Sequence, residues 1–231
     1  MKIYEWLKRR KRPDKPGAGS VFGLLLLLAF TFIQPHLPGQ YDANMIVNDE
    51  AGMQYRNIPP GDQFILGTNS IGQDLWARIW AGTRTSLLIG LSVALAEALV
   101  GITVGVIWGY VRKADFILTE VYNIIDNIPN TIVLILISYI LKPGVKTLIF
   151  AMCLTGWIQM ARFIRNQILI IRDRDYNVAS RCLGTPTAKI IIKNLLPYLV
   201  SAIMLRMALT IPSAIGIEAF ITYIALWLPV Q

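Results

Sequence analysis

Apolar residues gather here into long runs parted by short polar stretches, the pattern of helices that cross a bilayer. A spanning helix needs about 20 mostly apolar residues. Residues 16–41 contain no Asp, Glu, Lys or Arg and centre on VFGLLLLLAFTFI. Residues 85–111 carry a single charge, Glu97, near their middle. The run 127–141 is too short alone, so the third span is predicted to start near Phe116, to include Glu120 and Asp126, and to kink at Pro129. A proline inside a membrane helix is tolerated where neighbours satisfy the freed backbone. Residues 147–164 make a fourth span, and 194–217 a fifth, interrupted only by Arg206. The closing AFITYIALWLPVQ is apolar but too short to cross alone. The expected fold is therefore all-α, a polytopic membrane helix bundle with five spans.

Composition agrees. The chain has 231 residues, 55% hydrophobic and 16% charged, against about 25% charged in soluble domains. The net charge of +8 is a topology signal rather than a nucleic-acid footprint, because of where the charges sit. With the N-terminus in the cytoplasm, 16 of the 22 Lys and Arg fall inside and five outside, with Arg206 in a span; basic residues favour the cytoplasmic side. The flank KRRKRPDK and the run after it also resemble a signal peptide, but IQPHLPGQYDA offers no A-x-A-like cleavage site, so an uncleaved anchor is expected. The predicted organisation is a basic cytoplasmic segment (1–17), a first span (18–37), an external segment (38–84) and a transmembrane domain (85–231).

Chemistry is sparse. Cys153 and Cys182 give neither a disulfide framework nor a paired ligand spacing. His36 is the only histidine, so no zinc site and no metal site are expected. An intramembrane protease or transferase would need a nucleophile–base pair or a metal cluster, and none is apparent. No phosphate-binding G-x-x-x-x-G-K-[ST] loop occurs; the chain is expected to be no enzyme and to bind no cofactor. Glu97 and Arg206 are charges at similar depth in two spans. Isolated charges there cost about 2.5–3.5 kcal/mol on insertion scales, so they are expected to pair with one another or to line a path. Glu120, Asp126, Asn127 and Asn130 make the third helix polar near one end, for interhelical bonding or substrate contact. Trp76, Trp80, Trp108 and Tyr110 suit interfacial anchors, and the external segment reads as a solvated loop.

The one polar insertion with a design of its own is YNVASRCLGTPTAKIIIKNLLP, residues 176–197. Asp175 can N-cap a short helix whose Tyr176, Ala179 and Leu183 form an apolar face. Gly184 suits the left-handed residue that ends it. Thr185 and Pro186 can restart a helix as N-cap and first residue. Small residues Ala179, Ser180 and Gly184 would admit another surface closely; a loop helix that binds nothing fits the same spacing.

This stretch resembles the EAA signature of binding-protein-dependent ABC permeases: Val178-Ala179-Ser180, Gly184, Ile190 and Leu196-Pro197 follow EAA-x3-G and its I…LP continuation. Val178 and Ser180 depart from the acidic residue and second alanine of that signature, and Asn194 stands where a His is usual. LGTNSIGQDLWARIWAGTRTSL, DFILTEVYNIIDNIP, GWIQMARFIRNQIL and EAF (218–220) are similar to further motifs of the oligopeptide/dipeptide/nickel subfamily, most like its C-type Opp/Ami branch in Gram-positive bacteria. Gln73 replaces a usual Arg, and ITYIALW replaces the Gly-rich segment after Glu218. The resemblance implies a type I ABC importer permease with a coupling helix at 175–184. Tyr176, Val178, Ala179, Ser180, Leu183 and Gly184 would be its ATPase-contacting residues. It implies a multi-pass protein of a bacterial cell membrane importing oligopeptides, with dipeptides or nickel chelates as alternatives. Implied partners are a second permease in a heterodimer, two cytoplasmic ATPases that carry ATP and Mg, and an extracellular peptide-binding lipoprotein, all amid membrane lipid. A sixth span is expected by resemblance and missing from the sequence, which leaves an inactive truncated product as an alternative. A secondary transporter working without ATPases is the alternative of a different class.

Overall fold

The computed structural model describes residues 26–142 and 144–225. The basic segment 1–17, the first part of the expected span 18–37 and residues 226–231 lie outside the described residues. Helix α1 covers Leu26–His36 and ends in a 3-10 turn, Gln34–His36. It is followed by α2 (Leu75–Tyr110), α3 (Arg112–Asp126), α4 (Asn130–Leu141), α5 (Val145–Ile171) and α6 (Asp175–Cys182). Helix α7 begins at Thr187–Ile190, passes through a π-helical turn, Ile191–Leu195, and continues as Leu196–Ala225. The only β pairing among the described residues is two isolated antiparallel bridges. The all-α membrane reading holds: α2, α5 and α7 are each long and apolar enough to cross a bilayer, and α3 with α4 makes a fourth candidate.

That fourth candidate is a correction to the kink expected at Pro129. Helices α3 and α4 are bent by 76° to one another, a full break. A residue before proline is disfavoured in helical conformation, which stops the helix ahead of Ile128. Pro129 itself is extended at ψ 118°, so the chain leaves in a new direction.

The chain forms two compact units, 1–85 and 86–231. In the first, Phe30 of α1 meets the Trp80 ring edge-on at 4.6 Å. The segment between α1 and α2, expected to be a solvated external loop, has internal order. Phe64 is buried between Tyr41 and Tyr55, at 5.3 and 5.6 Å. Two turns of the same design flank it. Asp49 Oδ1 accepts from the Ala51 and Met53 amides, and Asn69 Oδ1 accepts from those of Ile71 and Gln73.

In the second unit α5 is the central helix. Its Met160, Ile164, Ile168 and Ile171 pack with Ala98 and Val106 of α2 and Leu195, Leu199 and Ile203 of α7. Close approach of α2 to α5 depends on Gly101, Gly105 and Gly109, spaced four apart. A Cβ on Gly105 would lie 2.6 Å from the Ala161 carbonyl oxygen, and one on Gly109 would lie 2.9 Å from Ile168 Cβ. Small residues at this spacing let membrane helices touch backbone to backbone. Trp108, expected at an interface, is instead buried with Tyr122, Ile158 and Ala161, and its Nε1 donates to Thr119 Oγ1 at 3.2 Å.

Candidate functional site

Helix α6 is eight residues long and has one buried residue, Asn177. Its start differs from expectation: Arg174 occupies the N-cap position and Asp175 is the first helical residue, with no side-chain cap bond. Asp175 still favours the helix electrostatically, as an anion in the first turn. The end matches expectation. Gly184 has φ +74°, its amide donates to the Arg181 carbonyl, and the Thr185 amide donates to the Ser180 carbonyl. Those two bonds make a complete Schellman motif. The restart comes one residue later than the sequence suggested: Pro186 is the N-cap and Thr187 the first helical residue.

Outward, α6 presents Tyr176, Val178 and Ala179, and Leu183 and Gly184 follow at its end, all exposed. Leu183 is 86% exposed. Ser180 is half-buried, and its Oγ donates to the Tyr176 carbonyl at 2.8 Å.

Inward, α6 is held at two places. At the first, Asn177 Nδ2 donates to the Ile171 carbonyl at 2.8 Å, while Asn194 Nδ2 donates to Asn177 Oδ1 at 3.0 Å. Asn194 belongs to the π-helical turn, where the Leu196 amide bonds back to the Ile191 carbonyl. Pro197 follows with no N–H to donate, so the helix loses nothing by widening there. Single π turns inside α-helices recur at functional sites; here the turn carries the side chain that grips α6. At the second place, Arg172 Nη1 donates to the Gly109 carbonyl at the end of α2, 2.8 Å away. A cation at a helix C-terminus is favourable. Arg172 Nε also pairs with Asp173 at 3.0 Å, and Arg181 of α6 joins with Nη2 at 3.1 Å from Asp173 Oδ1 and 2.9 Å from the Arg172 carbonyl. Arg181, then Arg172, holds the Asp173 carboxyl below the usual carboxylate range.

The apolar outer face and Gly184 were visible in the sequence. Asn177, Arg172 and Arg181 leave no local mark in the sequence, because they bond to backbone carbonyls or residues brought near by the fold. Glu97 and Arg206 are both half-buried. Glu97 lies against Gly156, where a Cβ would collide with its carboxylate. Arg206 sits over the Phe163 ring, 5.9 Å from its centre. No ion pair within 4.0 Å joins the two among the described residues.

Residues 101–231, which include α6 and both of its anchoring points on α7 and α2, match the family described as Binding-protein-dependent transport system inner membrane component. The chain belongs to that family. It is 41% identical over 209 residues to the oligopeptide transport system permease protein AmiD of Streptococcus pneumoniae, covering 90% of this chain and 67% of AmiD. It is 35% identical over 219 residues to the dipeptide transport system permease protein DppC of Bacillus subtilis, covering 94% and 67%. To the oligopeptide transport system permease protein OppC of Bacillus subtilis it is 32% identical over 212 residues, covering 91% and 67%.

As a member of this family the protein is a membrane-embedded transport component that works within a larger assembly.

Proposed function

We propose that this chain is the permease subunit of an ATP-driven peptide importer and that α6 is its coupling helix, on the cytoplasmic side. The observation that carries the reading is the two-faced construction of α6. Tyr176, Val178 and Leu183 are left exposed, while Asn177 and Arg181 fasten the same helix to α5, α7 and the Arg172 bridge to α2. A push on the outer face passes to three spanning helices.

The proposed partners are a second permease, two ATPases that bind ATP and Mg, and an external peptide-binding lipoprotein. Closure of the ATPases would shift α6, and the fastened helices would reorient around a path between the two permeases. Peptide is the proposed cargo because the relatives' names specify oligopeptide or dipeptide transport; nickel chelates remain the competing cargo. Co-expression of the chain with these partners, reconstitution into liposomes and measurement of labelled-peptide uptake test the reading. ATP-dependent uptake competed by oligopeptides supports it. Failure of the ATPases to co-purify, or uptake that persists without them, sinks it.

A further inference from the structure

Helices α3 and α5 share a polar seam that the coupling site does not use. Asn123 and Asp126 of α3 and its C-cap Asn127 are exposed on one face, while Ile117, Val121 and Ile124 are exposed on another. On α5, Gln159, Arg162 and Asn166 are exposed at i, i+3 and i+7, the spacing of a single helical face. The two rows meet. Gln159 Nε2 donates to Asp126 Oδ1 at 2.8 Å, Arg162 Nη1 lies 3.7 Å from Asp126 Oδ2, and the Arg162 guanidinium sits 4.1 Å over the Tyr122 ring.

Gln159 is 12 residues before the end of α5, roughly 18 Å along the helix, and with Arg162 it falls within the span expected at 147–164, toward its cytoplasmic end. Charges at such depth face a bundle interior or a water-filled cavity. Yet the side chains of Arg162 and Asp126 are 46% and 41% exposed, and hydrocarbon is a poor solvent for either. The pair is also loose: five guanidinium donors are engaged here by one long contact.

We infer that this seam lines the aqueous passage and receives the main chain of a peptide. Asn123, Asn127 and Gln159 offer amide donors and acceptors that match peptide groups. Asp126 suits an ammonium terminus, and Arg162, 3.7 Å from it, suits a backbone carbonyl beside that terminus. The inference rests on the permease reading above, and a seam covered by the second permease is its rival.

The test uses the complete transporter with Cys153 and Cys182 replaced by serine. Single cysteines are placed by Asn123→Cys, Gln159→Cys and Asn166→Cys, with Ile117→Cys as an apolar control on α3. The probe is a charged, water-soluble methanethiosulfonate. The expected result is labelling at all three seam positions, slowed at least about threefold by saturating peptide, with the control unreactive. Unreactive seam cysteines, disulfide cross-links from them to the second permease, or labelling that peptide leaves unchanged would each overturn the inference. Peptide uptake by the cysteine-replaced parent reports the permease reading separately, so the two can fail independently. As a second arm, Asp126→Asn with Arg162→Gln should raise the uptake KM about tenfold with kcat retained; a fall in kcat at constant KM would contradict a binding role.

Discussion

Asn194 donates a 3.0 Å hydrogen bond to Asn177, and through it the π turn of α7 grips the inner side of α6. Asn177 is fully buried and also donates to the Ile171 carbonyl, so one amide ties α6 to α5 and α7 together. Removing one partner of a buried hydrogen bond leaves the other unsatisfied, at a cost of about 1–3 kcal/mol. Asn177→Ala and Asn194→Ala should each lower stability by that order in denaturant titration of the purified protein in detergent. The double variant should cost less than the sum, with a coupling of about 0.5–3 kcal/mol. Strict additivity would place the two residues in separate networks.

The close contact of α2 with α5 gives a second expectation. Gly105→Ala places a methyl 2.6 Å from the Ala161 carbonyl and 2.7 Å from Ile164 Cβ. Overpacking of this kind costs about 1–3 kcal/mol. Gly216 of α7 has nothing within 4 Å of such a Cβ, so Gly216→Ala should be neutral or add up to about 1 kcal/mol through helix propensity. Melting temperatures of the two variants, measured in the same detergent, should move apart.

Acid should loosen the α6 clasp. The Asp173 carboxyl is depressed by hydrogen bonds from Arg181 and Arg172, so its folded value lies under the unfolded one of about 4. Stability from this group is present above that unfolded value and is lost as pH falls through the folded value. Cys182 on α6 is exposed and can carry a fluorophore. Its anisotropy should fall on acidification below about pH 4 in the parent, and Asp173→Asn should be mobile at every pH. A parent and variant with identical profiles would exclude Asp173 from the clasp.

The outer face of α6 should be dispensable to the chain and essential to the assembly. Leu183 is 86% exposed, so Leu183→Asp should leave folding within about 0.5 kcal/mol, as for most surface changes. ATPase co-purification and peptide uptake should fall at least about tenfold, since a charge would be buried unpaired at the docking contact. Retained uptake would move the contact elsewhere on the chain.

The sequence carried different parts of this structure unequally. Apolar runs marked α2, α5 and α7 because lipid exposure demands hydrophobicity all round. Gly184 and Pro186 marked the end of α6 and the restart, with an error of one residue where Pro186 caps the helix that it was expected to open. The break at Pro129 was legible as a proline; its 76° angle depends on packing that periodicity does not encode. The Gly101, Gly105 and Gly109 spacing was in plain view as a small-residue repeat, and its use against α5 could have been anticipated. Asn177 and Arg172 could not be read in that way, since a hydrogen bond to a distant carbonyl leaves no local pattern. Glu97 and Arg206 were legible as two charges at similar depth; their contacts with Gly156 and Phe163 depend on packing that depth alone does not encode.

Photo-cross-linking from α6 tests most directly whether this helix is where the transporter is driven. With p-benzoyl-phenylalanine replacing Leu183 in the co-expressed complex, irradiation should yield an adduct with an ATPase subunit. The same probe at Leu91, an exposed apolar position on α2, should yield none. An assembled complex that gives no ATPase adduct from position 183, or an adduct with the external lipoprotein, would contradict the placement of α6 as the coupling helix.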